Sequence, residues 1–243
     1  MLESRLLAVA CEAALNEKRQ RIAAKINGLQ HISEIRSTRI KNRSRPYLFF
    51  LVLAIRNFTR KLLFMKDELS DINDFFFDLD KTIWNWDETI IGAEDLIDTI
   101  RETNRDYYFH TDNTLLSRKE YARKLSAMNI PADEEQIITS GYVAAEKLAE
   151  NNVKKAYVIG EKGLIDELDK KDIEVSQDAE VVVAGFDRQF NYEKLRKAMN
   201  IVKDGGKLYL CSTESTFRKS SGIQPHQEPF NKALREFADE VEL

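Results

Sequence analysis

The feature that most constrains this chain is the stretch Asp74-Phe75-Phe76-Phe77-Asp78-Leu79-Asp80-Lys81-Thr82. A short apolar run bounded by polar residues reads as a buried strand. Two aspartates one residue apart close it, and a threonine follows two positions later. In open α/β sheets the chemistry gathers at the carboxyl ends of the strands. Residues i and i+2 of an extended segment point the same way, so Asp78 and Asp80 can face one small volume. Ionised carboxylates crowded together repel, and a cation relieves that repulsion. The pattern therefore suggests a Mg²⁺ site with one carboxylate left to act as nucleophile. The bland alternative is a strand that exits into an aspartate-rich turn.

A second segment strengthens the first reading. Asp106-Tyr107-Tyr108-Phe109-His110 reads as another strand, left through Thr111-Asp112-Asn113-Thr114. Between the two, Ala93, Leu96, Ile97 and Ile100 recur at helical spacing, so the unit is strand, helix, strand. A right-handed crossover of that kind sets the strands parallel with both carboxyl ends on one edge. Thr111 is thereby expected beside Asp78. A hydroxyl and the backbone N–H groups of a loop entering a helix suit a phosphate oxygen. Ser117-Arg118-Lys119-Glu120 then reads as a capping box opening a helix, with Tyr121, Leu125 and Met128 on its apolar face.

The Asp-Leu-Asp-Lys-Thr run resembles the first motif, Asp-x-Asp-x-Thr, of the haloacid dehalogenase superfamily of phosphohydrolases. Residues 111–114 resemble the Thr-Asn-Asn-Ser loop of its NagD-like, C2-capped branch, the p-nitrophenyl phosphatase and phosphoglycolate phosphatase type. The resemblance implies Mg²⁺-dependent hydrolysis of a small phosphorylated metabolite through an aspartyl-phosphate. Asp78 would be the nucleophile, Asp80 the acid/base, and Thr82 a brace for the loop. Thr111, Asp112 and Asn113 would bind phosphate, and Asp78 and Asp80 would hold the metal. Two departures stand out: Asp112 replaces an Asn, adding negative charge near an anionic substrate, and Lys81 replaces the usual Gly.

The resemblance continues through Lys155 to Leu164 and Val181 to Leu195. Asn191 can cap a helix striped by Leu195, Ala198, Met199 and Val202, and Asp204-Gly205-Gly206 can stop it. Asp187 and Arg188 read as a loop ion pair more readily than as a substrate clamp. The expected class is α/β, a partial haloacid dehalogenase-like Rossmann core with an inserted α/β cap of C2 type. The expected partition is a basic extension over 1–64, the first half of the core over 65–139, the cap over 140–226, and the start of the second half of the core over 227–243. The branch's third-motif Lys and fourth-motif Gly-Asp are expected beyond Leu243, which reads the chain as truncated and its own activity as impaired. The alternative is a non-catalytic binding or regulatory protein on a decayed core.

Composition separates the extension from the rest. Residues 1–64 hold thirteen Lys and Arg against four Glu, whereas 65–243 hold twenty-four against thirty-seven Asp and Glu. Such asymmetry fits a basic arm for nucleic acid or membrane, or a start placed too early, with Met65 as the natural one. The apolar run Leu48 to Ile55 is too short to cross a bilayer, which takes about 20 residues. No function is assigned to this segment, so neither nucleic acid nor membrane is expected as a partner. Cys11 and Cys211 suggest no disulfide framework and fit a cytoplasmic setting. His31, His110 and His226 form no zinc pattern. The resemblance leaves a homodimer through the cap open.

Overall fold

The structure, a computed structural model, describes residues 72–85, 88–219, 222–238 and 241–242. The basic segment 1–64, with Cys11, His31, the run 48–55 and Met65, lies outside them. Strand β1 (Asp74–Asp78) is followed by the two-residue strands β2 (Trp84–Asn85) and β3 (Glu88–Thr89), helix α1 (Ala93–Glu102) and strand β4 (Asp106–Thr111). Helix α2 (Arg118–Ala127) and a 3₁₀ turn then lead into β5 (Ile137–Thr139). The three longer strands form a parallel sheet in the order β1-β4-β5. Asp78 lies opposite His110, and Thr111 opposite Thr139, so all three carboxyl ends share one edge.

Alternation explains the packing. Phe75, Phe77, Tyr107 and Phe109 point to one face, where they join Leu96, Ile97 and the rest of an apolar core. Phe76 and Tyr108 stack on the other face with ring centroids 4.9 Å apart. Helix α1 buries Ala93, Leu96, Ile97 and Ile100, the residues that its spacing marks in the sequence. Helix α2 begins with both halves of the Ser117–Glu120 capping box formed, and it buries Tyr121 and Leu125.

The second layer starts with α3 (Ser140–Glu150), β6 (Lys155–Ile159), α4 (Lys162–Asp169), β7 (Glu174–Val175) and β8 (Val181–Ala184). It continues with α5 (Tyr192–Lys203), β9 (Lys207–Leu210), the hairpin of β10 (Thr216–Lys219) and β11 (Gly222–Pro225), helix α6 (Glu228–Arg235) and β12 (Val241–Glu242). Its five-stranded sheet runs β12-β9-β8-β6-β7, with every pairing parallel. Val181 to Ala184 are wholly buried because helices cover both faces of the sheet. Asn191 caps α5 by accepting from the Lys194 N–H at 3.1 Å, and Gly205, at φ 93°, ends it. The buried stripe of α5 is Ala198 and Ile201, flanked by Leu195 and Val202, while Met199 is only half-buried. Leu234 of α6 and Val241 pack on this same sheet. Ala238 packs there as well, so the apolar contacts of α6 and of Val241 are with the second layer.

The two layers meet along residues 114–118. The Thr114 hydroxyl accepts from the Phe186 N–H at 2.8 Å. A Cβ on Gly163 would stand 2.6 Å from the Leu115 carbonyl carbon, so only glycine permits the approach of α4. Arg118 donates to Glu167 and to Glu134, each at 3.2 Å, and its guanidinium lies 3.7 Å from the Tyr142 ring centroid. No helix among the described residues is long and apolar enough to cross a membrane.

Candidate functional site

Three segments converge at the shared strand edge: the turn after β1, the loop after β4, and the loop after β9 that carries Ser212. The backbone leaves β1 through a tight turn in which the Ile83 and Trp84 N–H groups both donate to the Leu79 carbonyl. Lys81 occupies this turn with φ 63°, a left-handed conformation that disfavours a side chain. That is the position where the related motif carries Gly. Thr82, buried, closes the turn.

The turn delivers Asp80 in a fixed orientation. The Trp84 indole N–H donates to Asp80 Oδ1 at 3.1 Å, and the Thr111 hydroxyl donates to Asp80 Oδ2 at 3.2 Å. Thr111 Oγ1 also accepts from the Asn113 N–H at 3.1 Å. Asn113 is buried, its side-chain oxygen accepts from the Leu115 N–H, and the Tyr121 hydroxyl donates to its carbonyl at 2.9 Å. Residues 111–115 are therefore held by their own side chains, as a loop that must present backbone groups requires.

Asp78 ends β1 with its side chain 43% exposed. Burial, then the nearby Asp80 and Asp112 charges, push its carboxyl up to about 8, with Lys81 pulling the other way. His110 Nδ1 is 4.0 Å from Asp78 Oδ1, but burial pulls the imidazole down to about 4. A neutral ring gives Asp78 no counter-charge near pH 7, and His110 is a packed strand-end residue. Asp112 departs furthest from the role given it by the sequence: its carboxylate engages the buried Ser212 hydroxyl of the second layer.

The structure thus gathers Asp78, Asp80, Thr111, Asp112 and Asn113 at one edge. Asp187 and Arg188 do not pair with each other. Arg188 pairs with Glu161 at 2.5 Å, and the buried Asp187 pairs with Lys194 at 2.5 Å. Sequence reasoning missed Trp84, whose signal is a ring donor four residues after Asp80. It also missed Ser212 and His226, which approach Asp112 only through the tertiary fold.

The donors available for a metal are hard oxygens, suited to Mg²⁺ or Ca²⁺ rather than to softer ions. Among the described residues, no three His, Cys, Asp or Glu side chains form a metal-holding group. The fit rests instead on the chemistry of the cluster: a carboxylate kept from ionising by burial and by two neighbouring carboxylates is one that a cation would relieve.

Residues 75–174 match the family of haloacid dehalogenase-like hydrolases. That match takes in the first sheet and the opening elements of the second layer. It is 33% identical over 172 residues to the chloroplastic phosphoglycolate phosphatase 1A of Arabidopsis thaliana, an alignment covering 60% of this chain and 48% of the relative. A solved nagD protein superposes with a TM-score of 0.66 at 23% identity, over 70% of this chain and 68% of the other. A thermostable NPPase double mutant from Geobacillus stearothermophilus gives 0.65 at 29% identity, over 70% and 68%. The chain spans about half the length of the plant enzyme.

Proposed function

We propose that the protein is a phosphate-monoester hydrolase acting on a small phosphorylated metabolite, with residues 140–226 as a cap over a core that begins near residue 65. The observation that carries this reading is the convergence of Asp78, Asp80 and Thr111 at one strand edge, where Thr111 and Trp84 fix the Asp80 carboxylate. Asp78, partly exposed at the end of β1, attacks phosphorus to form an acyl phosphate. Asp80 is held to protonate the leaving oxygen and then take a proton from the hydrolytic water. The backbone of residues 111–113, with the Asn113 amide, receives the phosphoryl oxygens.

Mg²⁺ is the cation we assign, and Asp78 and Asp80 would hold it. When bound it supplies charge neutralisation for the nucleophile and the transferring group. The phosphatase names of the relatives, phosphoglycolate phosphatase among them, support the substrate class. The test is p-nitrophenyl phosphate turnover with Mg²⁺ by the protein and by Asp78→Asn. Turnover abolished by the substitution supports the assignment, and unchanged turnover removes Asp78 as nucleophile.

A further inference from the structure

Asp112, Ser212 and His226 form a chain of polar groups that the hydrolytic scheme does not use. Ser212 is fully buried and His226 is 3% exposed, its ring stacked on Phe186 at 4.6 Å and edge-on to Phe217 at 5.7 Å. The Ser212 oxygen contacts an Asp112 carboxylate oxygen, accepts from the Glu214 N–H at 3.1 Å, and lies 3.4 Å from His226 Nδ1. An ionised carboxylate only accepts, so the single hydroxyl proton of Ser212 goes to Asp112. With that proton committed, the serine oxygen can offer His226 only a lone pair. A proton on Nδ1 completes the chain of donors.

We propose that Ser212 and His226 are positioning residues for the phosphate loop: the relay His226 Nδ1–H to Ser212 Oγ–H to Asp112 ties residues 111–114 to the second layer and commits one Asp112 oxygen away from the incoming anion. The proposal rests on reading residues 111–114 as that loop. Two further contacts secure the same loop and the same serine from the other side. Ser140 Oγ donates to the Asp112 carbonyl at 2.8 Å, and Asn231 Nδ2 donates to the Ser212 carbonyl at 2.6 Å. Burial and charge act in concert with the geometry. Burial lowers His226 while Asp112, then Asp80 and a hydrogen bond to the Glu214 backbone raise it, with Lys81 opposing. Asp112 is raised by burial and lowered by His226 and by the Ser212 bond, with Asp80 raising it. The carboxylates of Asp78 and Asp80 are the other anions near this relay.

The test reads the imidazole directly. Nitrogen-15 spectra of the full chain should show His226 in the Nδ1–H form at neutral pH. Asp112→Asn keeps an oxygen that accepts from Ser212 but removes the anion, so the His226 titration should move to lower pH. Ser212→Ala should abolish the tautomer preference and weaken binding of inorganic phosphate with Mg²⁺ by about tenfold, the effect of one lost hydrogen bond. An Nε2–H tautomer in the unmodified protein, or a His226 titration indifferent to Asp112→Asn, overturns the relay. The Nδ1–H form in the unmodified protein, together with equal phosphate affinity in Ser212→Ala, overturns the positioning role. Failure of the unmodified protein to bind phosphate overturns the loop assignment beneath it, and the histidine spectra distinguish that failure from a failed relay.

Discussion

The Thr111 hydroxyl reaches across from the end of β4 to donate to Asp80 at 3.2 Å, joining the two loops that the strand–helix–strand crossover brings together. The same oxygen accepts from the Asn113 N–H, so one side chain fixes both the carboxylate and the loop. Thr111→Val keeps the shape, removes the proton and leaves a weaker site. Loss of one such bond to a charged group costs about 1.5–3 kcal/mol. The expected result is a fall of roughly tenfold or more in kcat, with Thr111→Ser recovering most of it. Equal turnover by Thr111→Val would show that Asp80 needs no such support.

Asp78 makes stability depend on pH in a defined direction. Its folded carboxyl titrates near 8 against an ordinary 3.8. A raised carboxyl contributes stability that is complete below its unfolded value and is lost as pH rises through the folded one. Melting of the unmodified protein, referred to Asp78→Asn, should therefore worsen from pH 4 to 8. Because the side chain is nearly half exposed, screening reduces the effect to about 1–2 kcal/mol. Mg²⁺ should abolish most of this difference and release a proton on binding, which calorimetry in two buffers of unlike ionisation enthalpy measures. His110 acts with the opposite sign, its stabilisation being lost as pH falls from 6.5 toward 4. The mutant reference cancels it.

Lys81 sits in a left-handed turn that costs a side chain about 1–2 kcal/mol. Lys81→Gly should raise the denaturation midpoint by a comparable amount, less the entropy that glycine restores to the unfolded chain. It also deletes a positive charge beside Asp78, so the Asp78 carboxyl should titrate higher still. A stabilised variant with unchanged Asp78 titration would separate the two effects and remove Lys81 from the electrostatics of the site.

Gly163 tests the junction between the layers. A methyl group there meets backbone of residues 115 and 116, which cannot yield as a flexible side chain would. Gly163→Ala should cost more than about 2 kcal/mol, in the range of overpacked cores. Gly205→Ala meets nothing within 4 Å and should cost only its backbone strain at φ 93°. Denaturant unfolding of the two variants makes the comparison. Equal costs would show that the contact of α4 with residues 115–116 is not tight.

Much of this arrangement is legible in the residues themselves. Phe75 to Phe77 and Tyr107 to Phe109 declare strands, and Ala93 to Ile100 declares the crossover helix. Two parallel strands so joined bring Asp78 and Thr111 together without further information. Ser117 and Asn191 cap their helices as their positions suggest. What the sequence conceals are contacts of long separation. Ser212 lies one hundred residues from Asp112, and no local period or spacing connects them. Arg188 finds Glu161, and Asp187 finds Lys194, because a loop's side chains choose partners by tertiary position. Helix α6 has an amphipathic pattern that fits any apolar surface, so its pattern does not say that the second sheet receives it.

The central claim is that Asp78 carries the phosphoryl group, and the most direct measurement is to catch it there. The protein is quenched in acid during turnover of p-nitrophenyl phosphate with Mg²⁺, reduced with borohydride, digested and weighed. An acyl phosphate on Asp78 would be reduced to homoserine, so the peptide spanning residues 74–82 should carry that mass change at position 78 and lose it in Asp78→Asn. Turnover with an unmodified Asp78, or with the change at another carboxylate, would contradict the account.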